Sequence, residues 1–151
     1  LRGIAQRGHR RVKFYFDNNL PIRLARMLNH FDAGHTVSHI TEDRRFRHNT
    51  PDVDIIASLA AESPRPVFLT ADMSMYRKVP VERLALADSG LTIVFFRRNF
   101  DNLDFPTRAW KLVKLWPQII AETTRCRVPT MFEITAKAEK VQSLGPTAGC
   151  G

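Results

Sequence analysis

Two carboxylates, Asp54 and Asp72, stand where folding alone would not place them, and a third, Asp17, ends a strand where it could equally cap the helix that follows. Asp17 ends the strand-like run Val12-Lys13-Phe14-Tyr15-Phe16, and Asp72 ends a second, Pro66-Val67-Phe68-Leu69-Thr70-Ala71. Both runs are short, apolar and rich in strand formers, so each acid should lie where a buried strand meets a loop. Asp54 interrupts an apolar segment in which Val53, Ile56, Ala57 and Ala60 recur at helical spacing. A charge beside such a face needs a partner or a metal. If the two strands are parallel and central, Asp17 and Asp72 emerge at the carboxyl edge, where open α/β sheets bind ligands. An all-oxygen cluster of this kind suits Mg²⁺ or Mn²⁺.

Elements able to position these acids alternate along the chain. After the first strand, Pro21 fits the opening turn of a helix whose stripe is Leu24, Met27, Leu28 and Phe31, and Gly34 stops it. A strand is expected over 35–40, then an exposed loop over 41–50, with Thr50 and Pro51 capping and opening the helix that carries Asp54. Beyond Asp72 the segment to Ser89 reads as partly helical, and Leu91 to Phe96 as a buried strand. Pro106 opens a helix with Ala109, Val113, Trp116 and Ile120 on one face, which Pro117 should kink or divide. Residues 127–135 alternate as a last strand, and from Ala136 the composition turns to that of a polar tail. Alternating strands and helices predict a three-layer α/β/α fold around a mostly parallel sheet. The expected division is a basic extension over 1–11, one domain over 12–135 and a tail over 136–151.

The 151 residues match one domain by size, and 23 Lys and Arg against 15 Asp and Glu give a net charge of +8. Such a balance points to a polyanionic partner such as nucleic acid. No apolar run approaches the ~18 residues that span a bilayer, so no membrane partner and a cytoplasmic location are expected. Two cysteines, Cys126 and Cys150, make neither a disulfide framework nor a zinc site. Gly-rich phosphate loops and nucleophile-elbow motifs are absent, which removes kinase and hydrolase readings. Leu1 in place of an initiator Met suggests trimming or an upstream start.

The stretch DIIASLAAESPRPVFLTAD resembles the second half of PIN-domain ribonucleases, in which an acid opens an alanine-rich helix and Thr-x-Asp ends the next strand. The segments FDNNLPIRLARML, TPDVDII and DMSMYRKVPVERLAL look like the compact PIN-like domains grouped with VapC-type toxins. The resemblance covers roughly residues 12–97. It implies a metal-dependent endoribonuclease, the toxin of a toxin–antitoxin pair, with Asp17, Asp54 and Asp72 holding Mg²⁺ or Mn²⁺. Thr70 would orient a metal-bound water. A cognate antitoxin inserted over the acidic site is implied as a partner, and a homodimer is common in such families.

Asp52 competes with Asp54, because residues two apart on a helix point about 200° from each other. The dipole of the first helical turn gives Asp52 a ready structural role, which favours Asp54, and Asp52 stands as the second candidate. Larger PIN nucleases show a further mid-chain acid, and here only Glu42, Asp43 and Asp52 lie in that region. The incomplete set keeps open a PIN-like RNA-binding or interaction module that does not cleave. A receiver-like phospho-acceptor domain is a third reading, disfavoured by the basic charge.

Arg44, Arg45, Arg47 and His48 precede the acidic helix, where cations could hold phosphates while Phe46 stacks on an unpaired base. Arg77 and Lys78 follow Asp72, and Arg97 and Arg98 follow a strand expected to end on the same edge. Three basic segments would thus converge on the carboxylates. The helix around Trp110 and Trp116 is a candidate contact surface, with core packing the simpler reading.

Overall fold

A computed structural model describes residues 11–32, 34–71, 88–97, 100, 102–134 and 139–146. Six strands form one sheet: β1 (Lys13–Phe16), β2 (Thr36–His39), β3 (Val67–Thr70), β4 (Thr92–Phe96), β5 (Thr130–Ile134) and β6 (Val141–Pro146). Their order is β2-β1-β3-β4-β5-β6, with β1 to β5 parallel and β6 antiparallel to β5. The described helices are α1 (Ile22–Phe31), α2 (Asp52–Ala60) and α3 (Phe105–Arg125), with a 3₁₀ turn over Ile40–Glu42.

Side chains alternate across each strand, and two cores follow from that alternation. Phe14, Phe16, Val67, Leu69, Val94, Phe96, Phe132 and Ile134 face one way and pack on α1 and α3. Tyr15, Phe68, Ile93, Phe95 and Met131 face the other way and pack on Ile55, Ile56 and Leu59 of α2. Strands buried on both faces account for the near-continuous apolar runs in the sequence. The α/β/α layering read from the sequence is therefore present.

Several local expectations shift. The buried α2 residues are Ile55, Ile56 and Leu59; of the expected stripe Ile56 is buried and Ala60 packs beside it, whereas Ala57 is exposed and Val53 only partly buried. Turning the bulkier side chains inward buries more apolar area than an alanine-led stripe would. Thr50 does not cap this helix: its hydroxyl donates to the Arg47 carbonyl, and Pro51 occupies the cap without a side-chain bond. Phe31 is 59 % exposed, so the α1 stripe ends with Leu28.

Pro117 does not divide α3, which runs unbroken for 21 residues. Its buried positions are Leu112, Leu115, Trp116, Ile119 and Thr123, so contacts on both sides of the proline hold the helix to the sheet. The start is fixed by Asp104, whose carboxylate accepts the Thr107 N–H at 2.8 Å. The two tryptophans part company. Trp116 is buried, tilts on Phe14 at 4.7 Å and donates its indole N–H to Asp32, whereas Trp110 is 54 % exposed.

Residues 141–146, expected in a polar tail, pair with β5 as the edge strand β6. This strand is tied to β5 mainly through backbone hydrogen bonds, and only Val141 and Leu144 pack against the cores, which is why its composition does not announce it.

Candidate functional site

The sheet order reverses between β1 and β3: the chain leaves β1 for β2 on one side and returns to β3 on the other. Ligand sites of open α/β sheets lie outside the carboxyl ends of the strands at such a reversal. Asp17 follows β1 and Thr70 ends β3, so both stand there. Alternation from Tyr15 and Phe68 sends both side chains to the α2 face.

Asp17 is 4 % exposed and Thr70 fully buried. The Thr70 hydroxyl donates to Asp17 Oδ2 at 2.7 Å, and the Asn18 N–H donates to Oδ1 at 2.7 Å. Asn19 ties the two strand ends together. Its amide donates to Thr70 Oγ1 at 3.2 Å and its carbonyl oxygen accepts the Ala71 N–H at 3.0 Å. The carboxylate is thus fixed before any ligand arrives. Thr70→Val keeps the side-chain shape but removes a hydrogen bond to a charged acceptor, which is worth about 1.5–3 kcal/mol. The urea midpoint should fall by that equivalent with an unchanged slope; an unmoved midpoint would show that Thr70 does not hold Asp17.

A pocket of about 300 Å³ opens at this point, lined by Asp17, Asn18, Thr41, Arg47, His48 and Asp52 over Ile40, Phe46 and Ile55. Asp52 is partly buried on the inward side of α2, in helical phase with Ile55, Ile56 and Leu59, whereas Asp54 is exposed with Ala57 and Ala61. The structure therefore brings Asp17, Thr70 and Asp52 to one corner and leaves Asp54 outside the pocket lining. The donors here are carboxylate, amide and hydroxyl oxygens with one imidazole, a set whose hard oxygens fit Mg²⁺ or Mn²⁺. Among the described residues no group of three His, Cys, Asp or Glu is close enough to hold a metal. Asp72, expected as the third carboxylate, lies outside the described residues, as do Arg77, Lys78 and Arg98.

The basic loop divides its labour. Arg47 and His48 line the pocket and Arg44 is exposed. Arg45, expected to hold phosphate, instead donates to Asp43 at 2.8 Å and to Glu62 at 2.5 Å, and also to the Tyr15 hydroxyl at 3.2 Å. Phe46, expected to stack on a base, is buried in the core over α2. Loops must also close the core beneath them, and the largest apolar residue of the loop serves that purpose. Arg97 is exposed at the end of β4 and pairs with the buried Glu133 of β5.

Hydrogen bonding from Arg45 holds the Asp43 carboxyl down to about 2, and burial pushes the Tyr15 phenol up. A carboxyl depressed on folding stabilises the protein above its unfolded value, near 3.8, and that contribution is lost as pH falls towards 2. The full linkage is ~2.4 kcal/mol. With the Arg45 side chain 44 % exposed, solvent screening reduces it to about 1 kcal/mol. Between pH 5 and pH 2, wild-type protein should lose about 1 kcal/mol more unfolding free energy than Arg45→Gln. Equal losses would remove Asp43 from the acid response.

Asn19 was not singled out as a site residue in the sequence. It had a signal, lying two positions after a strand-end acid in FDNNLP, and His48, read with the basic loop as a cation that could hold phosphate, lines the pocket. No helix among the described residues is long and apolar enough to cross a membrane. Comparison with curated proteins and with solved structures finds no match. The family profile described as PIN like domain matches residues 12–98, more than half of the chain and the span that holds β1 to β4 and the pocket. The chain belongs to the PIN-like domain family.

Proposed function

We propose that this protein is a Mg²⁺- or Mn²⁺-dependent endoribonuclease, the toxin of a type II toxin–antitoxin pair, acting in the cytoplasm. PIN-like domains are commonly nucleases. The observation that carries the reading is the buried Asp17 carboxylate, fixed by Thr70 across the reversal of strand order, with Asp52 in the same pocket. Asp17 and Asp52, with Asp72 as the third carboxylate, would hold the ion, and Asp54 falls behind Asp52 because of its outward direction. When bound, such an ion supplies a lowered pKa for water and offsets charge on a phosphodiester and its leaving oxygen.

The protein's own residues prepare that chemistry. Thr70 and the Asn18 N–H keep the Asp17 oxygens in place, and Asn19 keeps the two strand ends together. Arg47 and His48 meet the RNA backbone at the mouth of the pocket, with Arg44 beside them. An antitoxin segment placed over the pocket would compete with RNA for these cations, and a homodimer would bring two such sites together.

Purified protein should cut structured cellular RNA with Mg²⁺ or Mn²⁺ and not in EDTA. Folded, antitoxin-free protein that binds RNA and never cuts it would instead establish the binding-module reading. A neighbouring gene for a small DNA-binding protein would support the toxin assignment, and a consistent absence of one would count against it.

A further inference from the structure

At the opposite edge of the sheet lies a larger cleft of about 680 Å³, framed by the amino ends of β1, β3, β4 and β5 and the end of α2. Four exposed cations from three stretches of chain line it: Arg11 and Lys13, Arg65, and Arg127. The one acid in the lining, Glu62, already receives Arg45 at 2.5 Å and Lys13 at 3.8 Å. Arg11 and Arg127 take part in no ion pair among the described residues. The cleft is therefore strongly positive.

Arg65 is seated rather than loose. Its guanidinium donates to the carbonyls of Ala60 at 3.1 Å and Gly90 at 3.3 Å. Gly90 has φ of +71°, and a Cβ there would stand 2.5 Å from Arg65 Nη1. Only glycine gives both that backbone and that approach.

We infer that this cleft is a second binding site for the phosphodiester backbone of single-stranded RNA, apart from the pocket where Asp17 stands. Helix α2 connects the two. Its first residue, Asp52, lines the pocket of Asp17 and its last, Ala60, lines the cleft, a separation of roughly 12 Å along the helix. The loop before it runs the same way, from Arg47 in the pocket to Arg45, whose partner Glu62 borders the cleft. An RNA strand following this side of the molecule meets cations at both ends. A polar cleft of separated charges suits a chain of phosphates better than one compact anion. The inference deepens the ribonuclease reading by naming how a longer substrate is held.

The test is binding of a 20-nucleotide single-stranded RNA in EDTA, so that cutting plays no part, at several salt concentrations. Each phosphate contact contributes about 0.7 to the salt slope on single strands, so Arg11→Ala/Arg127→Ala should lower the slope by about 1.4. Both residues are exposed and have no partner among the described residues, so the fold is not at risk. Metal-dependent cleavage of a dinucleotide, too short to reach the cleft, should match wild type. An unchanged slope, or equal competition by a mononucleotide, overturns the inference. Loss of the slope term in a protein that never cuts RNA leaves it standing while the nuclease reading falls.

Discussion

Asp17→Asn should lower metal-dependent RNA cleavage by more than ~100-fold, since removal of groups that merely support a metal ligand already reduces activity 10–100-fold. That factor corresponds to about 2.7 kcal/mol of transition-state stabilisation. The variant retains the shape of the side chain. Its remaining carbonyl oxygen can accept the Asn18 N–H, and the Thr70 hydroxyl, which both donates and accepts, can turn to receive the new amide hydrogen. The fold should therefore survive with a loss of about 1–3 kcal/mol. What disappears is the negative charge at a buried point that a cation would share. A second readout separates a lost ion from a damaged fold: Mn²⁺ should raise the melting temperature of wild type by mass action and leave that of the variant unmoved. Cleavage within about 10-fold of wild type would remove Asp17 as a metal ligand, because even outer-shell partners typically cost about 10–100-fold when lost.

The parts of this design that were legible in the sequence are those set by short-range pattern. The runs ending at Asp17 and at Thr70 are buried on both faces, so their apolar continuity marked them as central strands and put their terminal side chains at one sheet edge. The parts that shifted depend on choices between neighbouring patterns. On α2, two stripes one position apart compete, and the sheet takes the one with Ile55, Ile56 and Leu59. That choice turns Asp52 inward and Asp54 outward. Pro117 breaks a local rule yet lies within a helix whose buried side continues past it through Ile119 and Thr123. Edge strand β6 left little apolar trace, only Val141 and Leu144, because its ties to β5 are mainly through the backbone. Arg45 could not be assigned from its neighbours, since both its bond to Tyr15 and its bond to Glu62 join residues distant in sequence.

The direction of α2 yields the sharper pair of expectations. Asp52→Asn should lower cleavage about 100-fold, and Asp54→Asn should leave it within about twofold. The two positions share a helix turn, a charge and a substitution, so any general effect of losing negative charge near the basic loop falls on both alike. What differs is direction: Asp52 lines the pocket with Asp17, and Asp54 is exposed in phase with Ala57. Asp52 also favours the amino end of its helix through the backbone dipole, so its loss should destabilise the protein by about 0.3–1 kcal/mol, an amount too small to reduce the folded fraction noticeably. A rate loss at Asp52 with an intact thermal transition would therefore report chemistry rather than folding. The reverse result, with Asp54 essential and Asp52 dispensable, would require the ion to sit on the outer face of α2, away from Asp17, and would overturn the placement of the site at the reversal of strand order.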